Sequence, residues 1–142
     1  MATVTTYICA SPADQAIDFY TRAFGATERY RWVDEHGRIG HAELDFGDTL
    51  VMLSDEAPDY GALSPKTLGG AAVSLVVEVE DVDRAWKRAL DAGATVARPI
   101  AEAPYGRGGW VVDPFGFRWN IQQPNPDFKP EDLGTGTQMA VS

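Results

Sequence analysis

The sequence predicts an α+β fold in which two β-α-β-β-β modules form curved mixed sheets around a cavity. Three observations carry this prediction. The tripeptide Gly-Ala-Thr occurs at Gly25 to Thr27 and again at Gly93 to Thr95, each time directly after an amphipathic segment. An extended apolar stretch precedes each amphipathic segment, and short alternating stretches follow it. We therefore expect the ligand to lie between the two copies.

The repeat divides the chain into one domain and a tail. The domain covers residues 1–123, with modules at about 3–54 and 70–123 joined by a linker at 55–69 that is rich in Pro, Gly and Ser. Residues 124–142 contain many Pro, Gly and Thr residues, and we expect an irregular C-terminal tail there.

The first module begins with a strand and a helix. Alternation from Thr3 to Ala10 predicts the strand, and Ser11 with Asp14 predicts the capped start of the helix. Gly25 ends the helix, because glycine readily adopts the left-handed conformation. The helix has one apolar stripe, formed by Ala13, Ile17, Tyr20 and Phe24.

Three strands follow this helix. They are expected at Glu28 to Val33, Arg38 to Phe46 and Thr49 to Ser54. A two-residue turn between the last two strands would pair Glu43 with Met52. In that register His41 and Glu43 lie on one face of the sheet, and Ala42 lies on the apolar face.

The second module repeats this order. We expect a strand at Val73 to Val79 and a helix from about Asp81 to Ala92. Shorter strands are expected at Val96 to Ile100, Trp110 to Val112 and Phe117 to Gln122. The glycine-rich segment from Tyr105 to Gly109 is interpreted as a loop, either a plain connection or a mobile lid.

Composition excludes several classes of function. A net charge of −9 argues against nucleic-acid binding, which needs clustered Lys and Arg. No apolar stretch approaches the roughly 20 residues of a membrane span, and the N-terminus shows no signal peptide. Cys9 is the only cysteine, so no internal disulfide can form. We expect a cytoplasmic protein that binds neither nucleic acid nor a membrane.

Two segments carry a family resemblance. The helix from Ala16 to Gly25 and the late segment from Asp113 to Trp119 resemble the vicinal oxygen chelate superfamily. That superfamily includes glyoxalase I, extradiol dioxygenases, fosfomycin-resistance transferases and bleomycin-resistance proteins. The resemblance covers the chain from about Val4 to Gln122 and implies the fold rather than one activity.

Metal-dependent members of the superfamily bind their ion through His, Glu, His or Gln, and Glu. Matching of the neighbouring motifs places these four positions at Thr5, Met52, Ser74 and Asn120. Two hydroxyls, a thioether and an amide do not make a site for a divalent ion. The resemblance therefore implies the metal-free, bleomycin-resistance-like branch, with no cofactor, and a homodimer whose chains complete the cavity together.

The same strand parity predicts which side chains face the cavity. The candidate ligand-binding residues are Tyr7, Tyr30, Trp32, His41, Glu43, Met52, Ser74, Glu78, Trp110, Arg118 and Asn120. Aromatic faces together with carboxylates favour a flat or cationic organic ligand, such as an antibiotic or a cationic aromatic metabolite. Alternatively, the aromatic residues only fill space between the sheets.

Two catalytic alternatives remain open. His41 and Glu43, two residues apart on one strand, could serve a glyoxalase-like lyase, isomerase or dioxygenase with a metal nearby. A metal-free catalyst could instead use Glu43 or Glu78 as a general base. The simplest alternative is that His41 and Glu43 belong to a solvated polar strand face.

Overall fold

The computed structural model describes residues 1–134, and the first module has the predicted order of elements. Its elements are β1 (Thr6–Cys9), α1 (Ala13–Phe24), β2 (Thr27–Val33), β3 (Ile39–Phe46) and β4 (Thr49–Ser54). The linker is more regular than predicted. It contains a 3₁₀ turn at Pro58–Tyr60 and a one-turn helix, α2, at Pro65–Leu68.

The second module repeats the first. Its elements are β5 (Ser74–Glu78), α3 (Val82–Asp91), β6 (Thr95–Ala103), β7 (Gly106–Val112) and β8 (Arg118–Pro124). A 3₁₀ turn at Pro130–Leu133 follows. The predicted tail beyond residue 134 lies outside the described residues.

Both modules form four-stranded sheets of the same topology, which confirms the predicted fold class. The strand orders are β1-β4-β3-β2 and β5-β8-β7-β6. The first strand of each module runs parallel to the last, whereas the other neighbours are antiparallel. Each sheet is therefore mixed. The helix of each module carries the chain from the first strand, at one edge of the sheet, to the second strand, at the other edge.

The predicted hairpin register is confirmed. Glu43 pairs with Met52, and Phe46 pairs with Thr49 across the turn. Ala42 and Leu44, on the opposite face, are fully buried. The first sheet therefore has an apolar face covered by α1 and a polar, aromatic face that points away from the helix.

The predicted cap of α1 is wrong. Pro12 is the last residue before the helix and no side chain of that segment caps it. Instead, a carboxylate oxygen of Asp55 accepts the Ala13 N–H at 2.8 Å, and the other oxygen accepts the Ile39 N–H at 2.8 Å. The end of β4 brings Asp55 beside the helix start, so a distant residue caps the helix.

The segment from Tyr105 to Gly109 is not a lid, because most of it belongs to strand β7. Gly106 begins β7 and pairs with Ala103 of β6 and with Pro124 of β8. Glycine is required for packing here: a Cβ at Gly109 would lie 2.7 Å from the Trp86 ring. The run of glycines resembled a loop in the sequence because it removes the alternation of side chains that indicates a strand.

The two modules join through an aromatic core. Helices α1 and α3 pack against each other. Trp119 of the second module lies 4.8 Å from Phe24, 5.3 Å from Tyr20 and 5.7 Å from Phe46 of the first, between ring centroids. Among residues 1–134, no helix is both long and apolar enough to cross a membrane.

Candidate functional site

The polar face of the first sheet gathers six of the predicted site residues, and we call it the first face. Its members are Tyr7, Tyr30, Trp32, His41, Glu43 and Met52. Strand pairing sets this group. Tyr30 lies opposite Glu43, and Trp32 lies opposite His41. Met52 pairs with Glu43 on one side and with Tyr7 on the other.

Hydrogen bonds connect four of these residues. The Tyr7 hydroxyl lies 2.9 Å from His41 Nδ1, and His41 Nε2 lies 2.9 Å from Glu43 Oε2. The Tyr30 hydroxyl donates to the same Glu43 oxygen at 2.9 Å. The Tyr7 and Tyr30 rings lie 5.4 and 5.9 Å from the His41 ring, so they flank it on the sheet surface.

Glu43 is the charged centre of the first face. Hydrogen bonds from His41 and Tyr30, with help from Arg29, hold the pKa of its carboxyl below the usual range. The hydrogen bond from Tyr30 to Glu43 raises the pKa of the Tyr30 hydroxyl, because Glu43 would repel a phenolate. Glu43 is therefore ionised at neutral pH, and Tyr30 stays protonated.

Arg29 is a residue that sequence reasoning missed. Its guanidinium lies 3.6 Å from Glu43 and 3.7 Å from Asp45. Simple alternation would place Arg29 on the opposite face from Tyr30. A register shift between Glu28 and Tyr30 changes this local geometry, and no motif in the sequence indicates it.

The corresponding face of the second sheet, which we call the second face, gathers the remaining five predicted residues. They are Ser74, Glu78, Trp110, Arg118 and Asn120. The Arg118 guanidinium stacks 4.6 Å from the centre of the Trp110 ring. Trp110 and Asn120 line a cavity of about 220 Å³ with the buried Gln122.

Among residues 1–134, the cavities do not combine side chains of both faces. A cleft of about 480 Å³ does lie between the modules, next to β1, β4 and β5. Of the predicted site residues only Ser74 and Glu78 line it. In the part of the chain that the structure describes, the first face is open, since Tyr7, Tyr30 and Trp32 are 50%, 51% and 60% exposed. The ligand-binding roles of all eleven residues stay a prediction.

The residues at the superfamily's metal positions do not fit a divalent ion. Thr5, Met52, Ser74 and Asn120 offer only neutral donors, and the Asn120 amide already donates to the Gly109 carbonyl at 3.1 Å. Within the described residues, no group of three or more His, Cys, Asp or Glu side chains is placed to hold a metal. His41 and Glu43 supply two donors that already bond to each other.

Cys9 has the character of a packed thiol. It lies in β1 and is partly buried. Burial, with the nearby charges of Glu56 and Asp55, raises the pKa of the thiol to about 11. Because the thiolate is the reactive form, Cys9 is a poor nucleophile at neutral pH.

Comparison with known proteins agrees with this architecture. The chain is 38% identical to the protein Mb0911c of Mycobacterium bovis, whose function is uncharacterized, over 92% of this chain and 88% of that protein. The crystal structure of TioX from Micromonospora sp. ML1 is 26% identical, has a TM-score of 0.66, and is matched over 90% of this chain and 100% of TioX.

More distant structures share the fold alone. The fosfomycin resistance protein FosX from Mesorhizobium loti is 13% identical with a TM-score of 0.66, over 88% of this chain and 93% of FosX.

The family model described as the Glyoxalase/Bleomycin resistance protein/Dioxygenase superfamily matches residues 3–121. With two β-α-β-β-β modules and a family match across both of them, this chain belongs to the glyoxalase/bleomycin resistance protein/dioxygenase superfamily.

Proposed function

We propose that this protein binds a small organic cation with an aromatic part, without a metal, in the manner of the bleomycin-resistance proteins. One observation carries the proposal: the first face exposes three aromatic rings around an ionised glutamate. Tyr7, Tyr30 and Trp32 are each about half exposed, although large aromatic side chains are usually buried. Exposed aromatic surface grouped in this way is typical of a binding site.

The chemistry of the first face favours a cation. Aromatic faces attract cations through their quadrupole, and an adjacent carboxylate adds a full negative charge. Glu43 supplies that charge, and its side chain is held in place by Tyr30 and His41. The protein as a whole carries a net charge of −9, which favours the approach of a cationic ligand.

We further propose that two chains pair and complete the site. The first face is an open sheet surface, and the second face is another, with Val76 60% exposed beside Ser74 and Glu78. A ligand of drug size is usually buried over most of its surface, which one open sheet does not provide. Pairing the first face of one chain with the second face of the other would enclose the ligand on both sides.

Tryptophan fluorescence tests the binding function. Trp32 lies on the first face and Trp110 on the second, so a bound planar cation should quench the emission. We expect saturable quenching by ethidium or bleomycin, unchanged by excess EDTA, and weaker quenching by the anionic dye anilinonaphthalene sulfonate.

Substitution of Glu43 provides the matched comparison. Glu43→Gln keeps the shape of the side chain and removes its charge, and we expect the affinity for ethidium to fall about tenfold. Glu35→Gln makes the same change in the exposed β2–β3 turn and should leave the affinity unchanged. Absence of quenching by every cationic probe, or its loss with EDTA, would contradict the proposal.

A further inference from the structure

Tyr7, His41 and Glu43 form a row of hydrogen-bonded groups that binding alone does not require. The row begins at Glu43 Oε2, passes through His41 Nε2 at 2.9 Å, and continues from His41 Nδ1 to the Tyr7 hydroxyl at 2.9 Å. Tyr7 reaches His41 from β1, and Met52 of the intervening strand β4 lies between Tyr7 and Glu43 in the sheet.

The partners determine where the protons lie. Glu43 is ionised and can only accept, so His41 carries its proton on Nε2 and donates it to the carboxylate. His41 Nδ1 then has a free lone pair that can accept the Tyr7 hydroxyl proton at 2.9 Å, a much closer acceptor than the Gly40 carbonyl oxygen at 3.5 Å from the same hydroxyl. A nucleophile, a base and a residue that orients the base stand in this order in hydrolytic triads.

We propose that Glu43, His41 and Tyr7 form a proton relay that makes the Tyr7 oxygen a metal-free general base and nucleophile on the first face. His41 takes the hydroxyl proton when Tyr7 reacts, and Glu43 stabilises the resulting imidazolium. This activity goes beyond ligand binding, and it requires neither a metal nor a second chain.

The relay suits substrates whose proton has an acidity similar to that of a phenol, such as a C–H flanked by two carbonyl groups. The Tyr7 oxygen would take that proton while its own proton passes to His41 Nδ1. The electron pair of the broken C–H bond becomes an enolate. Return of the proton to a different atom gives an isomer, so no other reactant is consumed.

Tyr30 serves as the internal control for the reactivity of the Tyr7 hydroxyl. Both hydroxyls lie on the first face, and the two residues are 51% and 50% exposed. Tyr30 donates to the carboxylate of Glu43, whereas Tyr7 donates to an imidazole. Because imidazole is a stronger base than a carboxylate, it is the better proton acceptor. The relay therefore predicts a reactive Tyr7 beside an unreactive Tyr30.

Labelling with benzenesulfonyl fluoride measures this difference without any ligand. In the reaction the tyrosine oxygen bonds to sulfur, fluoride leaves, and the hydroxyl proton passes to the base. In the full-length protein at pH 7.5, peptide mass spectrometry should show Tyr7 modified at least about tenfold faster than Tyr30. Tyr7 and Tyr30 are almost equally exposed on the same face, so comparing them controls for access of the reagent within one chain.

The variants separate the relay from a structural hydrogen bond. His41→Gln should lower the Tyr7 rate to that of Tyr30, and His36→Gln, in an exposed turn, should leave it unchanged. A wild-type Tyr7 rate no higher than that of Tyr30 overturns the proposal, and this comparison needs no variant to fold. A Tyr7 rate that survives His41→Gln overturns it as well. Neither result depends on whether ethidium or bleomycin binds.

Discussion

At the scale of the residue, Asp113 shows what the family motif does. Its buried carboxylate accepts the backbone N–H groups of Phe115 and Phe117, each at 2.9 Å. It also accepts the Tyr20 hydroxyl at 2.5 Å and the Trp119 indole N–H at 2.9 Å. Burial raises the pKa of this carboxyl, and the hydrogen bonds oppose that rise. The motif therefore joins helix α1 to the second module.

Asp34 makes the same turn at the surface. It accepts the backbone N–H groups two and four residues later, those of His36 and Arg38, at 2.8 and 3.0 Å. Gly37 and Gly116 occupy the same position in the two turns with positive φ angles of 80° and 95°. The same turn, with Asp at its start and Gly three residues later, thus forms a solvated hairpin in the first module and a buried junction in the second.

The pair provides a matched test of the buried carboxylate. Asp113→Asn places an amide N–H toward hydroxyl and indole donors, and we expect the free energy of unfolding in urea to fall by about 2–4 kcal/mol. Asp34→Asn should cause a much smaller loss, because water can replace its partners. Equal losses for the two variants would show that the connection to Tyr20 does not stabilise the junction.

The same scale shows the limit of sequence reasoning about the site. Alternation along β3 correctly placed His41 and Glu43 on one face, because the period of a strand is fixed by its backbone. The contact between Tyr7 and His41 spans strand β4, and the contact of Arg29 with Glu43 follows a register shift. Both depend on the packing of whole strands, which no local pattern encodes.

At the scale of the element, the helices were the most predictable features. Helix α1 has its apolar stripe buried and ends at Gly25, whose φ of 72° is the left-handed conformation expected there. Strand β7 was recognised only from Trp110 to Val112, although it begins at Gly106. Its glycines are required by the neighbours Gln122 and Trp86, which a sequence pattern does not show.

Substitution of Gly109 tests that explanation. A methyl group there would lie 2.7 Å from the Trp86 ring and 2.9 Å from the Arg98 carbonyl oxygen. We expect Gly109→Ala to lower the free energy of unfolding by about 1–3 kcal/mol, as overpacking does. Combining it with Trp86→Leu should cost less than the sum of the two single changes, because the smaller side chain makes room. Strict additivity in urea denaturation would exclude the proposed contact.

At the scale of the whole molecule, the repeat was predictable because each module carries its own helix and turn signals. The relative placement of the two faces was not predictable, because the repeat does not determine which surfaces of the two similar sheets pack together. The aromatic core at Trp119 joins the modules on their helix side. Within residues 1–134 both polar faces are therefore open, and this openness supports the proposed pairing of two chains.

Analytical ultracentrifugation tests the pairing. We expect a species of twice the 15.4 kDa chain mass at micromolar concentration. Val76→Glu, a change on the second face, should shift the protein toward the monomer by adding a charge to the buried surface. Val4→Glu changes a residue that is 96% exposed and precedes β1, and it should leave the dimer intact. A wild-type monomer at all concentrations would rule out a site built from two chains.

The contacts at the helix starts have one more consequence. Asp55, just after the last strand of the first module, binds the first N–H of α1, and the Gln123 side chain in β8 binds the first N–H of α3 at 3.0 Å. In each module, a side chain at the end of the last strand therefore binds the start of that module's own helix. The halves are held together by Tyr20, Asp113 and the rings around them. The connecting peptide also packs on this junction, because the Lys66 amino group lies 5.7 Å from the centre of the Phe115 ring. Over evolution, the connecting peptide can therefore vary at its exposed 3₁₀ turn, Pro58–Tyr60, but not freely at Ser64 and Pro65, which are buried.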